Sequence, residues 1–186
     1  MPSLTSGDAA VHFQVGGAPD IATIFREQGP YVHTVLRSLG VHPSDLDDAF
    51  QEVFVVIHRK LSAYENRGSL RAWVYGICVR VARRSRSRRS AAREIASDEI
   101  PEAVDPMTPA EHLSEQQARQ VLSTILDDLD DDKRAVFVLF ELEELSMQEV
   151  AQSLECPLQT AYSRLRAARE AVDAAVRRYR MRREFR

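Results

Sequence analysis

Apolar residues return at the α-helical interval along almost the whole chain, and nowhere do they alternate with polar residues between turn dipeptides. Glycine is scarce, at 7 in 186 residues, so strands joined by tight turns have little support. The expected fold class is all-α. One stretch escapes the helical period: SDEIPEAVDPMTPAE, ending at Glu111, has three prolines and several acids, the composition of a solvated linker. It divides the chain into two small helical domains joined by a flexible linker, each with a modest core. The expected boundaries are a disordered tail over 1–20, a first domain over 21–95, a linker over 96–112, a second domain over 113–180 and a basic tail over 181–186.

Within the first domain a helix is expected from Ile21 to about Leu39, either stopped by Gly40 and Pro43 or interrupted near Gly29-Pro30, where proline removes a donor. A second starts after Ser44 or Asp45 and places Leu46, Ala49, Phe50, Val53, Ile57 and Leu61 on one buried stripe. Asn66-Arg67-Gly68-Ser69 breaks the pattern. A third helix then carries Leu70, Trp73, Val74, Ile77, Cys78 and Val81 on one face and arginines on the other. In the second domain one helix runs from Gln116 to about Asp127, with Val121, Leu122, Ile125 and Leu126 apolar. Another runs from about Asp132 to Glu144, with Val136, Leu139, Phe140 and Leu142.

The formal net charge of -3 argues weakly against a nucleic-acid partner until its distribution is considered. Every charged residue from Arg71 to Arg93 is arginine, acids dominate from Glu94 to Glu155, and arginine returns from Arg164 to the end. Two basic patches flank an acidic middle. No window is apolar enough to span a membrane, and the N-terminus lacks the basic start and apolar run of a signal peptide. Neither membrane insertion nor export is expected. Cys78 and Cys156 read as reduced packing residues, which fits the cytoplasm.

The most specific segment is SMQEVAQSLECPLQTAYSRLRAARE. Ser146 and Glu149 stand at capping-box spacing before Met147, Val150, Ala151 and Leu154. Glu155-Cys156-Pro157 makes a turn, and Pro157 suits the first position of the helix that follows. In that helix Ala161, Leu165 and Ala168 face inward. Gln159, Thr160, Tyr162, Ser163 and Arg166 then point outward, an amide, hydroxyl and guanidinium set suited to base edges and phosphates in a major groove. The bland alternative is an ordinary helical hairpin with a polar face.

The arginine helix is a second candidate surface, able to track a phosphate backbone. Tyr64, Glu65, Asn66 and Arg67 precede it, and Trp73 and Tyr75 accompany the arginines, so the surface could also receive unstacked bases. Spacing with Leu70 and Ile77 places Trp73 in the core rather than on a stacking platform, which leaves Tyr64 as the more open ring.

Three segments, DLDDAFQEVFVVIHRKL, AYENRGSLRAWVYGICVRVARR and ELEELSMQEVAQSLECPLQTAYSRLRAAR, together resemble regions 2 and 4 of sigma-70 family factors. Their order and spacing resemble the extracytoplasmic-function (ECF) group, from about Ile21 to Val176. The resemblance implies a sigma factor that binds core RNA polymerase and directs promoter-specific initiation at −10 and −35 elements. It implies that Asp48, Gln51 and Glu52 dock on the clamp helices of the polymerase β′ subunit. By the same resemblance Tyr64, Asn66, Arg67, Arg80, Arg83 and Arg84 recognise and help open the −10 element. Gln159, Thr160, Tyr162, Ser163 and Arg166 would read −35 DNA, and the second domain would contact the β flap. An anti-sigma factor is a further expected partner.

The chain departs from that pattern in places. Arg80 stands where relatives often carry asparagine, and Arg84 occupies a following position that is acidic in them. Tyr162 and Gln159 replace a common lysine and a small residue. Glu155 stands at a common glycine, which would either strain a left-handed backbone or indicate a different turn.

Two other functional classes account for less of the sequence. The histidines and cysteines show no metal-ligand spacing and no phosphate-binding glycine loop occurs, so no catalytic site, metal or cofactor is expected and the chain is not read as an enzyme. A polymerase-independent helix-turn-helix regulator would explain the C-terminal module alone. It leaves the acidic-edged DLDDAFQEVF stripe and the arginine helix without a role.

Overall fold

The computed structural model describes residues 20–64, 69–95 and 115–184, with side chains described except at 95, 115–120 and 182–184. Asn66 and Arg67, the linker and the N-terminal tail before Asp20 lie outside the described residues. Among those described there are α-helices and short helical turns and no strand.

The first module is a three-helix unit. Helix α1 (Ile21–Ser38) opens on Asp20, whose carboxylate accepts from the Thr23 N–H at 2.8 Å and thereby satisfies one orphan donor. Local hydrogen bonding holds the Asp20 carboxyl below its ordinary range, the Thr23 N–H contributing most. Pro30 lies inside α1 on its exposed side, where water can satisfy the carbonyl its ring leaves unbonded, and the helix continues past it. Of the two endings open in the sequence, Gly40 is therefore the one formed. Gly40 takes φ 83°, with Val41 N donating to Leu36 O (3.1 Å) and Gly40 N to Arg37 O (2.9 Å). This is a Schellman stop, sealed by burial of both Val41 and Leu36.

Helix α2 (Leu46–Lys60) buries Leu46, Ala49, Val53 and Ile57 as its spacing requires. Phe50 and Leu61, expected on the same stripe, are only half-covered. Phe50 instead packs among rings at the module's edge, its centroid 5.9 Å from Phe25 and 5.0 Å from Phe54. Helix α3 (Leu70–Ile95) lays Leu70, Val74, Ile77, Cys78 and Val81 against α1 and α2.

The second module comprises α4 (Glu115–Asp127), α5 (Asp131–Phe137), α6 (Met147–Ser153) and α7 (Leu158–Glu184). The helix expected from about Asp132 to Glu144 differs in form. Asp130 caps α5, accepting from Lys133 N at 2.8 Å, and the chain then widens into a π turn over Val138–Leu142. Glu143 N reaches back to Val138 O and Leu145 N to Leu139 O, both at 3.0 Å, which turns Leu145 into the core. Phe140 and Leu142 are only half-buried as a result of that widening. Helix α7 runs on to Glu184, so residues 181–184, set apart in the sequence as a basic tail, are helical.

The two modules touch. Helix α6 packs directly on α3, and one contiguous set of buried residues runs from Ile24 in α1 to Leu165 in α7.

Candidate nucleic-acid interface

The α6–turn–α7 unit is built by the local chemistry expected of it. Ser146 Oγ accepts from Glu149 N at 3.3 Å, and the Glu149 carboxylate accepts from Ser146 N at 2.9 Å, closing the capping box. Helix α6 ends at a left-handed residue, Glu155, at φ 51°. Cys156 N donates to Ala151 O (3.0 Å) and Glu155 N to Gln152 O (3.2 Å), the Schellman pair again. Of the two readings of Glu155, the strained left-handed backbone is the one observed. Pro157 sits one position earlier than expected, just before α7, with its carbonyl accepting from Ala161 N at 3.1 Å. It still fixes the entry angle without removing a needed donor.

Ala161, Leu165 and Ala168 are buried and anchor α7. Gln159, Tyr162, Ser163 and Arg166 are exposed on its outer side and Thr160 is half-buried beside them. Tyr162 is 50% exposed. Ser163 Oγ donates to Thr160 O (2.9 Å), and Arg166 pairs with Glu170 at 3.1 Å in solvent, a contact weak enough to yield to a phosphate. The structure thus brings this predicted set together on one accessible face.

The arginine surface of α3 is less open. Arg84 and Arg88 both reach the Glu52 carboxylate, at 2.5 Å and 3.2 Å, and Arg89 reaches Asp45 at 3.6 Å. Three others cross to the second module: Arg80 meets Glu155 at 3.0 Å, Arg83 meets Asp132 at 2.5 Å, and Arg86 meets Asp131 at 3.2 Å. Arg71 donates to the Glu143 carbonyl and lies 3.3 Å from its carboxylate. The aromatics also differ from expectation. Tyr75 is fully buried rather than on the surface, its hydroxyl accepting from Arg71 Nε at 3.2 Å. Tyr64 is half-buried, its ring 4.8 Å from that of Trp73, and burial raises its hydroxyl above the ordinary phenol range. Tyr64, Trp73 and Arg80 line a cleft of about 270 Å³ together with Gln152 and Glu155 of the second module.

On α2, Asp48 and Gln51 are exposed and Glu52 is half-buried under its two arginines. Beside Gln51 lies an apolar edge not singled out in the sequence, formed by Phe25, Phe50, Phe54 and Val55. Phe25 and Val55 are 52% and 46% exposed, and their helical phase, off the main stripe, was the available signal.

A second set missed in the sequence joins the modules: Asp131, Asp132, Glu143, Glu155, Arg134, Gly40 and Gly76. A readable sign existed. From Leu70 to Ala82 the chain is apolar on nearly every side of the helix, which a surface helix is not. Among the described residues no cluster of His, Cys, Asp or Glu is arranged to hold a metal, and no helix is long and apolar enough to cross a membrane.

Comparison with known proteins adds independent findings. A family model described as Sigma-70 region 2 matches residues 24–92, and one described as Sigma-70, region 4 matches residues 119–172. The chain is 30% identical over 157 residues to the ECF RNA polymerase sigma-E factor of Escherichia coli K12, covering 78% of this chain and 82% of that one. It is 25% identical over 142 residues to the protein of the same name in Haemophilus influenzae, covering 72% and 75%. Two solved structures share the fold. One is the sigma factor RpoE with the anti-sigma factor NepR from Bartonella quintana, at TM-score 0.66 and 20% identity over 82% of this chain and 94% of that one. The other is CnrH with the cytosolic domain of CnrY, at TM-score 0.60 and 24% identity over 84% and 86%.

Proposed function

The chain belongs to the ECF group of the sigma-70 family, and from that premise we propose which of its surfaces perform each part of promoter-specific initiation. As a sigma factor it binds core RNA polymerase and directs initiation at particular promoters, a regulatory rather than catalytic task. The observation that carries the assignment of parts is the accessible polar face of α7, raised on a capped helix and a tight turn.

In this reading α7 enters the major groove of the −35 element. Gln159, Thr160, Ser163 and Arg166 meet base edges and phosphates while Tyr162 supplies apolar contact and a hydroxyl. Arginines Arg80, Arg83 and Arg84, with Tyr64, Asn66 and Arg67 beside them, hold the −10 region by phosphate contact and receive an unstacked base near Tyr64. Asp48, Gln51 and Glu52 dock on the polymerase β′ clamp helices, and the second module meets the β flap. The protein acts where polymerase is, in the cytoplasm, and an anti-sigma factor holds it inactive. That last point is supported by the two structural neighbours, each solved with a partner and one of them with a named anti-sigma factor.

The test is selection from promoters randomised separately at −10 and −35, using polymerase loaded with wild type, Arg166→Ala or Gln159→Ala. Relaxed preference confined to −35 supports the assignment. Unchanged −35 preference, or a change at −10 instead, removes it.

A further inference from the structure

Three serines are set into the arginine helix, in the run Arg83-Arg84-Ser85-Arg86-Ser87-Arg88-Arg89-Ser90, and the core claims only one of them. Ser85 is 5% exposed and belongs to the packed side of α3. Ser87 and Ser90 are exposed, at positions where alanine or lysine would serve the helix better. Beyond Ser85 no described residue of α3 is buried. Ion pairs near the surface tie its last turns to the fold, Arg86 to Asp131, Arg88 to Glu52 and Arg89 to Asp45. A helix end with so little buried contact opens locally at small cost, which lets a modifying enzyme reach it.

Side chains three and four residues apart share a helix face, and for Ser87 those on the N-terminal side are Arg83 and Arg84. Both guanidiniums are lightly committed. Arg84 meets Glu52 at 2.5 Å with its side chain 62% exposed, and Arg83 meets Asp132 through Nη2 at 2.5 Å. Arg83 Nε has no hydrogen-bond partner among the described residues. On the C-terminal side the neighbours of Ser87 are Ser90 and Ala91, with no acid between them. Ser90 differs, because Glu94 shares its face and would repel a second anion. Ser87 also lies more than two turns before the helix ends at Ile95, clear of the negative pole at that terminus.

We infer that Ser87 is a phosphorylation site, the acceptor of a protein kinase that favours arginine around its target, and that Arg83 and Arg84 then clasp the phosphate. In the transfer Ser87 Oγ bonds to the γ-phosphorus of a nucleoside triphosphate. The bond from that phosphorus to the departing nucleoside diphosphate breaks, and the hydroxyl proton passes to a base of the kinase. Phosphoserine carries about −1.5 to −2 at neutral pH and three acceptor oxygens. Glu52 and Asp132 each offer one negative charge, so the phosphate draws both guanidiniums to itself. Glu52 keeps Arg88. The consequence for promoters rests on the reading of Arg83 and Arg84 as −10 contacts, since an internal phosphate then neutralises both. Asp48 and Gln51 on α2 and the reading face of α7 keep their exposure. Phosphorylation thus weakens the hold on −10 DNA and leaves −35 recognition in place.

The first test is mass spectrometry of the full chain isolated from the cells that produce it, sampled across growth phases and stresses. Phosphate on Ser87 is the expected result, and Ser87 unmodified in every sample overturns the site. The clasp is read by phosphorus NMR on the full chain with phosphoserine placed at position 87 by amber suppression. Arg83 and Arg84 should hold its second pKa below the value of about 6 of a free phosphoserine, and replacing both, Arg83→Gln with Arg84→Gln, should restore it. A second pKa at the free value in the otherwise wild-type chain overturns the clasp. Polymerase loaded with the phosphorylated chain should bind a single-stranded −10 oligonucleotide about tenfold or more weakly than polymerase loaded with the unmodified one, as when two phosphate contacts are lost. Loading on core polymerase, helicity by circular dichroism and binding of −35 duplex should not change, and Ser87→Ala should behave as wild type. Equal −10 binding by the two forms overturns the consequence drawn for promoters. Failure of even the unmodified form to bind −10 DNA, with phosphate and clasp both present, removes the −10 reading of the arginines and leaves the site standing.

Discussion

Replacing Glu155 by glycine should strengthen the second module while loosening its hold on the first. Glu155 occupies the position after α6 at φ 51°, where a side-chain-bearing residue costs about 1 kcal/mol or somewhat more. Glycine removes that cost but brings a freer unfolded chain, which returns about 0.5 kcal/mol. The lost ion pair to Arg80 joins a carboxylate side chain 77% exposed to a guanidinium side chain 38% exposed. Solvent screening limits it to a few tenths of a kcal/mol at most. In roughly 1 M salt, where the screening length is about 3 Å, the pair drops out and only the backbone difference remains. The glycine variant should then exceed wild type by about 0.5 kcal/mol, a rise in melting temperature of roughly 2–4 °C for a module of this size. In low salt the advantage narrows. Glu155→Ala keeps the strained backbone and loses the pair, so it should fall below wild type in low salt and match it in high salt. Thermal unfolding followed by circular dichroism at the two ionic strengths reads all three proteins. A glycine variant no more stable than the alanine one in high salt would refute the backbone argument.

Other outcomes follow from single contacts. Ser146→Ala should cost the second module about 1 kcal/mol in denaturant unfolding, and adding Glu149→Ala should cost less than the sum of the two, because each residue caps the other. Gly40→Ala should lower the unfolding midpoint by the equivalent of more than about 1 kcal/mol, since φ is 83° and Arg134 fills the space. Brief alkylation of the native protein, read by mass spectrometry, should modify half-buried Cys156 and spare Cys78, whose thiol burial pushes far above its ordinary range. Arg166→Ala should reduce the salt dependence of promoter binding by about one unit of slope if it contacts a phosphate, measured as affinity against salt concentration for the polymerase complex.

Much of the fold was legible because helices write their buried face at short range. The stripe on α2, the capping box at Ser146 and the turn before α7 needed only neighbours within a few positions. The exposed set on α7 was legible for the same reason, as the residues left over once Ala161, Leu165 and Ala168 were turned inward. What escaped depended on partners distant in sequence. Tyr75 reads as a ring beside arginines until α6 is placed over it, and its burial is set by residues more than 70 positions away. The π turn at Val138–Leu142 leaves no composition signal, since the same apolar residues would serve a continuous helix. The segregation of charge was visible, but the sequence offered no way to tell an acidic middle facing solvent from one facing the arginines of α3. Glu155 shows both sides: the strain at its position was foreseeable from a turn that favours glycine, while its pairing with Arg80 was not.

The assignment of α3 and α7 to the two promoter elements rests on one premise, that the chain works as a subunit of polymerase. Run-off transcription by core RNA polymerase on randomised promoters, with and without this protein, tests it most directly beside a gel shift of the protein alone. Transcripts that appear only with the protein, from templates sharing −10 and −35 sequences, are the expected result. Tight operator binding by the protein alone with no new transcripts would contradict it.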